Sequence, residues 1–264
     1  MNSHCNEIKL QEPSCAGLVR VPGWKRGLDI ALVLLVLPLL LPLALFIAIV
    51  IRLVSSGPVL FKQERVGLLG QRFMCFKFRT MFVGADTTVH QGHFSRLMES
   101  DAPMVKLDTN GDPRLIPFGL LLRSSGLDEL PQIMNVLRGE MSLVGPRPCL
   151  PCEFEKYLPW QKERFNTVPG LTGLWQVSGK NRTTFIEMIQ LDIQYARKKS
   201  VWLDLKIILK TIPALVGQIQ DTRKMGRAHS RRGQTDASMA ARAANEYPMP
   251  QAAFNTAINT NRDS

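Results

Sequence analysis

Residues 30–51 read IALVLLVLPLLLPLALFIAIVI, a run without a charged or polar side chain in which Pro38 and Pro42 are the only breaks. As a straight helix it extends roughly 33 Å at about 1.5 Å per residue, enough to cross the hydrocarbon of a bilayer. Each proline lacks an amide donor and clashes with the carbonyl four residues back, so a kink is predicted in the interior. Arg20, Lys25 and Arg26 precede the run, and Arg52, Lys62, Arg65 and Arg72 follow it. Basic loops favour the cytoplasmic side of a membrane. Basic residues on both flanks of one kinked apolar segment therefore fit a re-entrant helix that enters the membrane, bends and returns to the same face, with Pro38 and Pro42 as the structural residues of the bend. One ordinary membrane-crossing helix is the plainer alternative, because prolines are tolerated in spans. A secretory signal peptide fits poorly, since the apolar core is too long and no small-residue cleavage site follows it. The rest of the chain is expected to stay on the cytoplasmic face.

The 264 residues carry 33 Lys and Arg against 22 Asp and Glu, a formal net charge of +11. Outside the apolar run the chain is large enough for one compact domain. The excess positive charge suits anionic headgroups, nucleotides or phosphorylated lipids. No nucleic acid is expected as a partner, because no basic run interleaves with the aromatic pairs of a base-stacking platform. Cys5, Cys15, Cys75, Cys149 and Cys152 are an odd number in a chain expected in the cytoplasm, and no disulfide framework is implied. Cys149 and Cys152 form a C-x-x-C pair, but Pro148 precedes it, Pro151 lies inside it and no second pair exists; they read as incidental thiols. His90 and His93 read as solvated loop residues.

The expected organisation is an N-terminal arm at 1–22, a membrane-associated helix at 23–54, a compact domain at 55–220 and a flexible basic tail at 221–264. Trp24 to Arg26 read as an anchor at the membrane surface. Gly57 and Pro58 punctuate the exit from the helix, Val59 to Phe61 read as extended, and Phe73 to Met81 alternates aromatics with Lys77 and Arg79. Residues 87–110 lack a clear period and read as loop and short helix. Leu115 to Arg123 is predicted helical, with Pro117 placing its start late, and after the Ser124-Ser125-Gly126 break Asp128 is predicted to cap a helix reaching about Arg138, with Pro131 in its first turn. Phe154 to Asn166 and Phe185 to Lys198 are predicted helices. Val201 to Val216 sets Trp202 and leucines against lysines, fitting either a helix in the membrane interface or a core helix of the domain.

Asp128 and Glu129 are adjacent carboxylates at a predicted helix start, where free amides and the positive end of the helix dipole favour negative charge. An ionised carboxylate there is a competent nucleophile toward phosphorus, and its neighbour can hold a divalent cation. Arg147, in the rigid turn Gly145-Pro146-Arg147-Pro148, is the candidate phosphate clamp, because a guanidinium fork pairs bidentately with phosphate. Lys77 and Arg79 are further candidates. Two acids at a helix start are most often only a cap, and Gly-Pro turns are common. The grouping of Asp128, Glu129 and Arg147 in a chain tied to the membrane surface is what sets them apart.

Long stretches of the chain, in order, closely resemble a known family. They are Lys25 to Asp29, Gly57 to Gly67, Lys77 to Met81, Leu127 to Gln132, Met141 to Pro148 and Pro169 to Gln176. The chain is similar to the bacterial sugar transferases, or monotopic phosphoglycosyl transferases, from about Lys25 to Val216. The resemblance implies a compact α+β, mainly helical, monotopic membrane enzyme with a kinked re-entrant helix and a catalytic domain at 55–220, on the cytoplasmic face of the bacterial inner membrane. It implies that Asp128 attacks the sugar-bearing phosphate of a UDP-sugar, releasing UMP, and that a polyprenyl phosphate such as undecaprenyl phosphate then takes the phosphosugar from the aspartate. Glu129, with Asp128, is implied to hold Mg2+, Arg147 to contact phosphate or nucleotide, and Asp112 and Arg114 to lie near the site without an assigned step. Lys77 and Arg79 complete the substrate-binding set. The family commonly places Ser-Pro at the helix bend, where this chain has Leu41-Pro42, so the freed carbonyls must be satisfied differently.

Beyond lipids, donor and acceptor, the expected partners are a second copy of the chain and downstream glycosyltransferases. The expected product line is exopolysaccharide, capsule or O-antigen. The chain is too short for the extra membrane helices of the larger relatives and reads as the compact form with an added tail. A membrane-anchored scaffold docking through its tail is the nonenzymatic alternative.

Overall fold

The computed structural model describes residues 21–84, 114–179 and 183–217, with 98, 100, 103 and 112 between them. The expected arm and tail, and nearly all of 87–110, lie outside the described residues. The architecture is α+β and mainly helical, in accord with the sequence reading.

Helix α1 (Gly23–Val54) passes through Pro38 and Pro42 without leaving the helical pattern. At about 1.5 Å per residue its 32 residues extend roughly 48 Å. Its inward stripe recurs at helical spacing through Lys25, Asp29, Val33, Ile47 and Ile51, all buried. The other faces leave Leu35, Leu39, Leu41, Leu45, Phe46 and Leu53 exposed. Both ends of α1 are fastened to one body. At the start, Lys25 Nζ donates to Asp204 Oδ2 at 2.6 Å and Tyr195 Oη at 2.8 Å. One turn on, Asp29 Oδ1 accepts from Ser142 Oγ at 2.9 Å and the Leu143 amide at 3.0 Å. At the far end Ile47 and Ile51 pack with Phe78, Ile116 and Leu122. Each such apolar side chain contributes about 1.5–3 kcal/mol when fully buried. The expected headgroup anchor at Trp24 to Arg26 is thereby corrected. Lys25 faces the core because a buried acid awaits it, and Arg26 donates to the carbonyls of Val136 and Leu137.

After α1 an antiparallel hairpin forms from β1 (Leu60–Val66) and β2 (Arg72–Phe78), with Leu60 opposite Phe78 and Val66 opposite Arg72. The extended segment foreseen at Val59–Phe61 is the start of β1. Met81 bridges Leu115, and Phe118 takes a left-handed conformation (φ 64°), so the helix expected from Leu115 begins late, as α2 (Gly119–Ser125). A Cβ on Gly119 would stand 2.5 Å from the Thr80 carbonyl, a close approach that requires glycine.

Leu127–Gln132 then forms a 3-10 helix and Ile133–Arg138 the α-helix α3. The expected cap at Asp128 is corrected. Gly126 (φ 74°) holds the capping position, and Asp128 and Glu129 occupy the first turn. Pro131, without an amide to close an i→i−4 bond, favours the tighter turn. Asn135, fully buried, accepts from the Phe76 amide and donates to the Met74 carbonyl, stitching α3 to the open edge of β2.

Two three-residue strands, β3 (Ser142–Val144) and β4 (Gly170–Thr172), pair in parallel. Between them lie α4 (Pro151–Lys156) and a 3-10 helix, Pro159–Phe165. The single helix expected over Phe154–Asn166 is thus divided at Pro159, which drives Leu158 to an extended ψ of 156°. The short α5 (Leu174–Val177) leads to α6 (Phe185–Lys198), started by a reciprocal Thr184–Glu187 capping box and ended by Arg197 and Lys198. Helix α7 covers residues 201–217. The core gathers α6 over Tyr157, Phe165 and Trp175, with Val66 and Cys149 beneath.

Candidate active site

The last residues of β2 carry Lys77 toward the 3-10 helix, where its Nζ meets Glu129 Oε1 at 2.9 Å. On the other side of the same oxygen stands Arg147 Nη1, at 3.9 Å. Arg147 follows β3 in a turn whose backbone is clamped. The Gly145 amide donates to Thr172 O at 2.8 Å and the Gly170 amide to Pro146 O at 2.9 Å. Cβ atoms on Gly145 or Gly170 would come within 2.3 and 2.0 Å of the facing backbone. The Gly-Pro-Arg-Pro turn and the Pro-Gly-Leu-Thr-Gly segment are therefore one rigid piece, possible only with glycine at the contact. Arg164 Nη2 adds a bond of 3.0 Å to the Arg147 carbonyl.

These elements enclose a small cleft whose polar lining includes Arg65, Lys77, Glu129, Gln132, Arg147 and Gln176. Three permanent or near-permanent cations face one carboxylate. Arg65 lies deepest, donating to the Pro148 carbonyl at 3.3 Å, and burial together with the nearby Arg147 pushes its guanidinium below the ordinary value. A cation held at such cost is stabilised by an anion entering the cleft. Gln176, in the lining, has its Oε1 buried with no hydrogen-bond partner among the described residues. Cys75, in the lining, has its thiol pushed up by burial and is not poised as a nucleophile.

Of the residues selected from sequence, Lys77, Glu129 and Arg147 are brought together. Asp128 is half-buried beside Glu129 in the same turn, and its side chain is not among those lining the cleft. Arg79 sits elsewhere. It is buried and donates to the carbonyls of Ser55 and Ser56, where it closes the C-terminal end of α1. Asp112 and Arg114 pair with each other at 2.8 Å, which holds the Asp112 carboxyl down to about 2, and neither lines the cleft. Arg65, Gln132 and Gln176 were not singled out. Gln132 and Gln176 close two of the quoted motifs and Arg65 lies inside a third, Gly57 to Gly67, which is the available signal.

Comparison with known proteins agrees with this geometry. Residues 21–218 match the bacterial sugar transferase family. The chain is 39% identical over 209 residues to the exopolysaccharide production protein ExoY of Rhizobium meliloti (strain 1021), covering 77% of this chain and 91% of ExoY. It is 41% identical over 200 residues to the UDP-glucose:undecaprenyl-phosphate glucose-1-phosphate transferase of Caulobacter vibrioides, covering 73% of this chain and 69% of that protein. The galactosyl transferase CpsE of Streptococcus agalactiae is 44% identical over 168 residues, but the chain spans only 35% of its length. The match runs through α1, the hairpin, the cleft and α7 without a break, and the chain belongs to the bacterial sugar transferase family.

Proposed function

We propose that the protein transfers a phosphosugar from a UDP-sugar to polyprenyl phosphate, such as undecaprenyl phosphate, giving polyprenyl-diphospho-sugar and UMP as the first step of exopolysaccharide, capsule or O-antigen assembly. The observation that carries this reading is the cleft in which Arg65, Lys77 and Arg147 surround Glu129 beside Asp128. That arrangement suits a diphosphate, and the Caulobacter vibrioides relative is a UDP-glucose:undecaprenyl-phosphate glucose-1-phosphate transferase.

In the first step a carboxylate oxygen of Asp128 attacks the sugar-bearing phosphorus, the bond from that phosphorus to the bridging oxygen breaks, and the electron pair leaves with UMP. In the second, a phosphate oxygen of the acceptor attacks the same phosphorus and the Asp128 carboxylate departs. Arg147 and Lys77 neutralise the charge that spreads over the transferring group, and Arg65 steadies the nucleotide phosphate behind it. Two adjacent carboxylates, Asp128 and Glu129, suit Mg2+, which takes one or two carboxylates and leaves positions for substrate phosphates. Among the described residues no third His, Cys, Asp or Glu joins them, which disfavours a closed structural metal site. Bound there, Mg2+ would supply charge neutralisation for the donor's phosphates.

Helix α1 supports a one-sided seating. Its two ends pack on one domain, so a membrane crossing would have to pull one end away from its buried partners. The exposed leucines of its other faces are then offered to one leaflet, here proposed as the cytoplasmic leaflet of the inner membrane. The test is UMP release by detergent-purified protein with Mg2+, a short-chain polyprenyl phosphate and a panel of UDP-sugars. Release with one sugar, lost in Asp128→Asn, is expected; activity retained in the variant overturns the covalent role.

A further inference from the structure

Between α5, α6 and α7 lies a groove of about 240 Å3 floored by Leu174, Val177, Leu203 and Ile207. Its rim carries Lys198 from the last turn of α6, and Lys206 and Lys210 from α7. Among the described residues no carboxylate lines it. Asp192 of α6 and Asp204 of α7 are already committed, Asp192 to Arg164 and Asp204 to Lys25. Lys198 alone would be unremarkable, since a cation at a helix C-terminus relieves the dipole. Lys206 and Lys210 are different, because like charges four residues apart on one helix repel. Three cations over an apolar floor match a phosphate with a hydrocarbon chain attached.

The neighbouring face of α7 says where that ligand comes from. Trp202, Leu209, Ile212 and Val216 recur at helical spacing and are exposed, Trp202 at 82%. The helix is tied to the α1 assembly at both of its own ends. Asp204 holds Lys25 of α1, and Leu215 lies 3.5 Å from the place a Cβ on Gly126 would take, next to Leu127 and Leu130, which pack with Ile47 and Ile51. The apolar stripe of α7 therefore continues the exposed apolar surface of α1, and the lysines mark its edge.

We propose that the α6–α7 groove binds an anionic phospholipid of the bilayer, its phosphate against Lys198, Lys206 and Lys210 and an acyl chain along Leu203 and Ile207. The site is separate from the catalytic cleft, whose cations are Arg65, Lys77 and Arg147. It fixes the depth and tilt of the domain over the leaflet, and it rests on the one-sided seating of α1 proposed above.

The test uses the full chain on vesicles of phosphatidylcholine alone or mixed with phosphatidylglycerol, with brominated chains placed on one headgroup at a time. Quenching of Trp202 is isolated by comparison with Trp202→Phe, and flotation reports membrane attachment separately. Trp202 should be quenched several-fold more by brominated phosphatidylglycerol than by brominated phosphatidylcholine. The triple variant Lys198→Gln, Lys206→Gln, Lys210→Gln should still float and should lose the preference, with about tenfold weaker enrichment of the anionic lipid. Equal quenching by both headgroups, or a preference kept in the triple variant, overturns the lipid site. Flotation without any Trp202 quenching overturns it while leaving the α1 seating intact; failure to float overturns the seating and the lipid site together. Loss of the preference on adding a short-chain polyprenyl phosphate assigns the groove to the acceptor instead. Shielding of Trp202 that grows with protein density in phosphatidylcholine alone assigns it to a second copy.

Discussion

At the junction of α1 and α7, Lys25, Asp204 and Tyr195 close on one another with almost no exposed surface, whereas at the cleft Glu129 is shared between Lys77 at 2.9 Å and Arg147 at 3.9 Å, both partly open to solvent. In the closed cluster every polar atom is spent. Tyr195 Oη lies 2.7 Å from Asp204 Oδ1 and 3.0 Å from the Val144 carbonyl, so the hydroxyl joins α1, β3 and α7. Among the described residues the cleft instead sets three cations, Arg65, Lys77 and Arg147, against one carboxylate, Glu129. The difference separates what charge does in this molecule: where the count is balanced and dry it fixes α1 to the domain, and where it is unbalanced and wet it suits an entering anion.

The largest effect should come from unbalancing the closed cluster. Asp204→Ala leaves Lys25 buried without its counter-charge, and breaking a buried pair in this way costs about 3–5 kcal/mol. Thermal unfolding followed by tryptophan fluorescence should show that loss, and removing both charges, as Lys25→Met with Asp204→Leu, should recover most of it. A loss below about 1 kcal/mol for the single variant would mean the cluster is not dry and would erase the contrast with the cleft.

The cleft should respond the other way. Arg147→Ala is expected to lower kcat/KM about 30- to 100-fold, the worth of a charged hydrogen bond to phosphate, while changing stability by less than about 0.5 kcal/mol. Arg147→Lys should recover the charge but not the bidentate geometry, leaving most of the defect. If Arg147→Ala unfolds the protein as Asp204→Ala does, the arginine belongs to the scaffold and the functional reading of the cleft fails.

The same contrast explains what the sequence disclosed. The apolar run, the alternation through Phe73 to Phe78 and the pattern over Phe185 to Lys198 are local, and they appear as α1, β2 and α6. The closeness of Glu129 and Arg147 was legible because the two lie within one short stretch and carry unusual chemistry for their setting, whereas Asp128, grouped with them from the sequence, does not line the cleft. The closed cluster was not, since Lys25 finds Asp204 across nearly the whole domain and a basic residue before an apolar run ordinarily means a headgroup. Strands β3 and β4 were invisible because three residues carry no period, and the evidence of their pairing lies in the glycines that let two backbones touch. Arg79 misled for a related reason. Its motif neighbours Lys77, but two residues along a strand points the same way only while the strand lasts, and β2 ends at Phe78.

The smallest effect tests whether burial without pairing also follows the division. Cys149 lies under α6, 3% exposed, and burial pushes its thiol up to about 12, while Cys152, three residues on, is exposed. At pH 9 a thiol with that pKa is only about one part in a thousand thiolate, the reactive form. Iodoacetamide at pH 8, read by peptide mass spectrometry, should therefore modify Cys152 and leave Cys149 untouched, and raising the pH to 9 should not bring Cys149 into reaction until the protein is unfolded. Modification of both at similar rates in the folded protein would show that the packing between α4 and α6 opens readily, and the wall of the molecule behind Arg147 would then be no more closed than the cleft in front of it.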